Sequence, residues 1–169
     1  MEQIIVEKIL RITKNRKRLE EKLGVRIENR GKEVFITGKP EQEYTAIKIV
    51  EALDFGFPFS SAMLIEEEDF IFEIVNIKSH TTRRDMERIR ARIIGKGGKA
   101  IKTLSDLTKC SLELKDNQVG IIGDPEHIKN AEEAIVLLIK GSKHSNVYAH
   151  LEKHQIKPIV DLGLKNAKQ

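Results

Sequence analysis

Two stretches of the chain coincide at an offset of 85 residues without a gap. Leu19-Glu-Glu-Lys-Leu-Gly-Val-Arg-Ile27 falls on Leu104-Ser-Asp-Leu-Thr-Lys-Cys-Ser-Leu112, and Val34-Phe-Ile-Thr-Gly38 on Val119-Gly-Ile-Ile-Gly123. Each copy then passes through a proline, Pro40 or Pro125, into a helical pattern. Identities are few, but the apolar positions match. A repeat constrains the fold more than any single motif, because each copy must be one supersecondary unit. With 169 residues, the chain has room for two such units.

The second copy has the clearer pattern. Phe70–Val75 is apolar and β-rich, a strand. Thr82, with Asp85 three residues on, is an acceptable helix start, and Met86, Ile89 and Ile93 recur on one helical face. Gly95-Lys-Gly-Gly98 breaks that helix, and Ile101, Leu104 and Thr108 mark the next. Ser111–Leu114 and Val119–Ile122 flank Asp116-Asn117 as a hairpin. Pro125 opens a last helix with Ile128, Ala131, Ile135 and Leu138 inward, stopped at Gly141. The order is β-α-α-β-β-α.

The first copy is expected to follow the same order. Ile4–Val6 is a short strand and Leu10–Leu23 an interrupted helical stretch. Leu10-Arg-Ile-Thr13 stands where the glycine loop stands in the second copy. A hairpin turns around Arg30-Gly31, and Glu41–Leu53 is a helix with Tyr44, Ile47, Val50 and Leu53 inward. The expected division is 1–54 for a first unit without the glycine loop, 55–69 for a connector, 70–155 for the second unit and 156–169 for a tail. In the connector Phe55, Phe57 and Phe59 are expected to dock one unit on the next rather than stack on bases. Ser60–Ile65 is expected to be a short helix, and Glu66–Asp69 a solvated acidic run.

Composition excludes several classes. Apolar residues make up 40% and charged residues 33%, a charge-rich globular chain and not a disordered one. No apolar run approaches the ~20 residues that span a bilayer, so no membrane partner is expected. The opening MEQIIVEKIL has acids where an export signal needs a basic region. The single cysteine, Cys110, excludes an internal disulfide framework and a Cys-based zinc finger, and a reducing, cytoplasmic compartment is expected. It aligns with Val25 and is expected to be a buried hydrophobe. His150 and His154 sit four apart without a third ligand, a surface pair. No metal, cofactor or catalytic constellation is expected.

Charge is uneven along the chain. Residues 1–75 hold 12 basic and 15 acidic residues, whereas 78–102 hold nine basic residues against Asp85 and Glu87 alone. Such a concentration suggests a polyanionic partner.

The glycine loop narrows that partner. The spacing Gly95, Gly97, Ala100 mimics a lax dinucleotide fingerprint, but that motif needs a preceding strand, and Arg83–Ile94 has a helical period. A tight turn between two helices fits better. Glycines there let a sugar-phosphate backbone approach where a Cβ would collide. The start of the second helix favours phosphate, and Lys96 and Lys99 add cations beside it. Arg84, Arg88 and Arg92, four apart, form a basic stripe on the preceding helix, and Ile93, Ile94, Ile101 and Leu112 an apolar wall for bases. The expected ligand is RNA or single-stranded DNA.

Arg92-Ile-Ile-Gly-Lys-Gly-Gly-Lys-Ala-Ile-Lys102, followed by Leu104 and Leu112, resembles the signature of a type I KH domain with its GXXG loop. The resemblance implies an α+β fold of two tandem KH-like units, each a three-stranded antiparallel sheet with helices on one face. It also implies a clamp on about four unpaired nucleotides, with Gly95, Lys96, Gly97 and Gly98 at the backbone and Lys102 within the same signature. A first unit lacking the loop, an acidic linker and a second unit reading R-I-I-G-K are similar to archaeal two-KH ribosome-assembly factors of the partner-of-Nob (Dim-type) family. Ile121-Ile-Gly-Asp124 and His144-Ser-Asn-Val-Tyr148, with Leu151, also look like that family's closing segments. That similarity implies single-stranded RNA as partner, specifically small-subunit ribosomal RNA near its 3′ end, and assistance to a Nob-type endonuclease without nuclease activity of its own. The alternatives are a general single-strand RNA regulator outside the ribosome, and a ribonuclease or nucleotide-dependent enzyme. In the first unit Lys14, Arg16, Lys17 and Arg18 are read as an ordinary basic surface.

Overall fold

The structure, a computed structural model, describes residues 1–155; the tail lies outside the described residues. The elements run β1 Glu2–Ile5, α1 Ile9–Leu23, β2 Arg26–Arg30, β3 Glu33–Thr37, α2 Pro40–Phe55, α3 Phe59–Glu67, β4 Ile71–Asn76, α4 Met86–Ile94, α5 Lys99–Thr108, β5 Ser111–Lys115, β6 Gln118–Gly123, α6 Pro125–Ile139 and α7 His144–Lys153. Short 3-10 turns occupy Ile77–His80 and Lys96–Gly98. There are two three-stranded antiparallel sheets, ordered β1-β3-β2 and β4-β6-β5. This is the expected α+β class.

The offset of 85 residues is structural. It superposes β2 on β5, β3 on β6 and the prolines that open α2 and α6. Gly24 and Lys109, at the equivalent helix ends, both adopt the left-handed conformation (φ +67° and +56°). Val25 and Cys110, just after them, are both buried. Burial pushes the Cys110 thiol up to about 11, which leaves it protonated and inert at neutral pH.

Before that point the copies diverge, and the expected order of the first unit needs correction. Its helical stretch is one unbroken helix, so the unit reads β-α-β-β-α. Only three residues separate β1 from α1, too few for a further helix and loop. Leu10–Thr13 is the first turn of α1, and Ile12 lies in the core. Lys8 offers α1 no capping side chain; Asp54, at the far end of α2, accepts the N–H groups of Glu7 and Lys8 instead (2.9 and 2.7 Å).

The phase of α2 also differs from expectation. Val50 and Leu53 are buried, but Tyr44 is 66% exposed and Glu43 is inside. Glu43 accepts the Gly38 N–H at 3.0 Å, a bond that holds its carboxyl below the usual range. α2 packs against both α1 and α3, so its buried face is wider than one helical stripe.

Two of the three connector phenylalanines, Phe55 and Phe57, do dock the units, while Phe59 lies under Arg18 of the first unit. Phe55, Phe57 and Phe72 of β4 form a triangle with ring centres 5.6–5.9 Å apart. They sit on β6, whose residues alternate between two cores. Val119 and Ile121 join the core under α4 and α6, whereas Ile122 joins the first unit's core. A Cβ at Gly120 would come within 2.9 Å of both Phe55 and Phe57. Glu113, paired with Gly120 in register, faces the same way. Helices thus cover one face of the second sheet, and the connector and α3 lie against the other.

Candidate nucleic-acid interface

α4 begins later than the Thr82 signal suggests. Its cap is Asp85, whose carboxylate accepts the Arg88 N–H at 3.1 Å. Arg84 therefore precedes the helix. Met86, Ile89 and Ile93 then turn inward as their spacing requires. The helix ends as Gly95 N–H bonds Ala91 O at 2.8 Å and the chain swings to φ +75°.

Gly95, Gly97 and Gly98 all hold positive φ (+75°, +63° and +77°), where only glycine sits without strain. Their surroundings differ. A Cβ on Gly95 would lie 2.5 Å from that of Ala100, so this glycine lets α5 pack against the end of α4. Above Gly97 and Gly98 there is nothing within 4 Å. Internal packing does not fill that space; it is a bare main-chain saddle at the start of α5.

Lys96 lies in the loop and Lys99 opens α5, whereas Arg84 and Arg88 stand at the far end of α4. Arg84, Arg88, Lys96, Lys99 and Lys102 are all exposed, and none forms an ion pair with a described residue. The start of α5 adds the positive end of a helix dipole. On the apolar side Ile94 is 37% exposed, while Ile101 and Leu112 are half-buried. These three offer apolar surface beside the loop.

Two residues expected in the site are committed elsewhere. Ile93 is 0% exposed and belongs to the core. Arg92 is half-buried; its guanidinium donates to Leu138 O at 3.0 Å and to Ser142 O. With Arg84 off the helix and Arg92 turned inward, the anticipated stripe reduces to Arg88. Two residues absent from that expectation share elements with its members. Leu114 is half-buried on β5, and Arg90 reaches the Asp116 carbonyl at 3.4 Å, linking α4 to the β5–β6 turn. Leu114 could have been found from its strand alternation with Leu112; Arg90 carried no signal.

In the first unit the cations of α1 grip the connector. Arg11 donates to Leu53 O (2.7 Å) and Phe57 O (2.6 Å). Arg18 lies 3.9 Å from the Phe59 ring centre, and Lys22 pairs with Glu67 at 3.6 Å. Lys14, Arg16 and Lys17 remain exposed. His150 and His154 stack on each other 4.3 Å apart at the end of α7. Among the described residues no cluster of three or more His, Cys, Asp or Glu could hold a metal, and no helix is long and apolar enough to cross a membrane.

A three-stranded sheet under helices, with a bare glycine saddle between two of them, defines a KH-domain protein. Residues 71–156 match the family model for the second KH domain of PNO1, described as a eukaryotic type KH domain (KH domain type I). The chain belongs to this PNO1/Dim2 family. It is 29% identical over 149 residues to KH domain-containing protein MJ0443 of Methanocaldococcus jannaschii, covering 84% of this chain and 66% of that one. It is 32% identical over 108 residues to the pre-rRNA-processing protein pno1 of Aspergillus oryzae, covering 62% and 42%. The chain thus spans two thirds or less of the length of these curated relatives. Among solved structures it is similar to the a/eIF2alpha-aDim2p-rRNA complex from Pyrococcus horikoshii OT3, with TM-score 0.80, 29% identity and coverage of 90% and 92%.

Proposed function

We propose that the chain is an RNA-binding factor that holds single-stranded RNA on the Gly95–Gly98 saddle. Its target is small-subunit ribosomal RNA near the 3′ end, during ribosome assembly and rRNA processing in the cytoplasm. The observation that carries this reading is the open space above Gly97 and Gly98, flanked by exposed Lys96 and Lys99, neither of which is paired with a described residue. A phosphate backbone fits where no side chain intrudes. Ile94, Ile101 and Leu112 give bases an apolar surface, so base preference is modest and phosphate supplies most of the affinity. The rRNA in the related aDim2p complex and the processing role in the A. oryzae relative's name support the choice of target. The chain acts by binding and positioning, without catalysis, and presents the RNA to a Nob-type endonuclease.

Titration of the protein with an oligoribonucleotide from the small-subunit 3′ end tests this reading. Four phosphate contacts from Arg88, Lys96, Lys99 and Lys102 give a slope of log affinity against log salt of about −3. No binding at low salt would overturn it. Crosslinking in cells tests the target: reads at the 3′ end of small-subunit rRNA are expected, and reads spread over messenger RNA would mark a general regulator instead. Metal-dependent cleavage by the pure protein, lost on a single substitution, would make it a nuclease.

A further inference from the structure

α7 lies beyond the six elements that complete the second unit's β-α-α-β-β-α order, yet it touches both helices that enter and leave the glycine loop. Its first residue, His144, places Nε2 2.7 Å from the main-chain oxygen of Arg92, in the last turn of α4. A carbonyl only accepts, so Nε2 carries the hydrogen and donates it. This satisfies one of the carbonyls that a helix end leaves without a partner. The Arg92 side chain returns the contact by donating to Leu138 O, near the end of α6, and to Ser142 O, in the turn leading to α7. One turn after His144, Tyr148 packs against a small core to which α5 contributes Leu104. Val147 and Leu151 close the arrangement in a small core with Leu104 of α5 and Leu138 of α6.

We infer that α7 is a brace for the glycine loop, and that Arg92 and His144 are positioning residues that set the saddle's geometry without touching RNA. The inference rests on the RNA-binding reading above. Between Ile94 and Lys99 the chain has three residues at positive φ, and apart from the Gly95–Ala100 contact nothing packs on Gly97 or Gly98. The angle between α4 and α5 is therefore held in part from outside the loop. His144 fixes the α4 side, Val147 and Leu151 the α5 side through Leu104, and all three project from one rigid helix.

The test compares His144→Ala, His144→Gln and Arg92→Gln in the full chain. His144→Ala is expected to weaken oligoribonucleotide binding about fivefold, one ordinary hydrogen bond's worth, with an unchanged salt slope. His144→Gln, whose amide can donate to the same carbonyl, should recover affinity to within about twofold. Amide exchange at Gly95 and Gly98, followed by NMR without RNA, should quicken in His144→Ala and return in His144→Gln. Unaltered affinity or unaltered exchange in His144→Ala would overturn the brace. So would a salt slope shallower by about 0.7 in Arg92→Gln, the mark of a lost phosphate contact. If wild-type protein binds no RNA, the functional reading fails, and the exchange measurement still decides whether the brace exists.

Discussion

Phe57 occupies the space that a side chain on Gly120 would need: a Cβ there would stand 2.8 Å from the Phe57 ring. Phe57 is wholly buried and is held by Arg11 through its carbonyl. Gly120→Ala is therefore expected to force the two units apart locally and to cost about 1–3 kcal/mol. A lower midpoint in urea denaturation would register it; an unchanged midpoint would mean that the aromatic triangle yields freely.

The loop glycines should separate by role. Gly95→Ala meets Ala100 at 2.5 Å and strains φ +75°, so it should lower stability by about 2 kcal/mol or more. Gly98→Ala meets nothing and should cost about 1 kcal/mol, while its new methyl intrudes on the saddle and weakens RNA binding. Paired denaturation and RNA titrations check this; equal losses of stability at both positions would contradict it.

Changing Lys96 and Gly97 together to Asp should reduce RNA affinity at least tenfold, or about 1.4 kcal/mol, with circular dichroism unchanged. The repeat makes Arg11 and Ile12 look like the matching control. They are not, because Ile12 is 1% exposed and Arg11 holds the Leu53 and Phe57 carbonyls. Asp at both would unfold the first unit. Lys14 and Lys17, exposed on α1, are the sound control. Their replacement by Asp should lower affinity by less than about threefold, as expected of distant charges screened by salt.

Glu113 links pH to the seam between the units. Burial raises its pKa, and Arg11 and Lys8 across the seam offset this in part. A raised carboxyl favours the protonated form in the folded state, so its contribution is present below the unfolded pKa and is lost as pH rises through the folded one. Glu113→Gln should therefore raise the melting temperature by about 1–3 °C at pH 7 and bring little gain near pH 4. A gain confined to low pH would reverse the sign of the argument.

How far the sequence foretold all this depends on what each signal encodes. Periodicity placed Ile89, Leu104, Ile128 and Ile135 in the core, since each lies on an element with one buried face. It misplaced Tyr44, because α2 is covered on more than one side and a polar Glu43 found a partner at Gly38. It also divided α1, because alignment to the second copy implied a loop that the three residues after β1 leave no room for. At the candidate site, the glycine turn and the exposure of Lys96 and Lys99 were legible, since conformational freedom and charge are local properties. Arg92 was not: its exposure is decided by the Leu138 and Ser142 carbonyls, 46 and 50 residues away. The sequence marks His144 only as part of a closing segment, for the same reason.

The double duty of β6 bears on how the protein can be dissected. A piece beginning at residue 70 would retain the glycine saddle and every helix around it. It would also strip the connector from Gly120 and Ile122 and lay a greasy, flat strip open to water. Such a fragment would tend to stick to itself. The loop-bearing half is thus joined to a neighbour that carries no loop and that covers this strip.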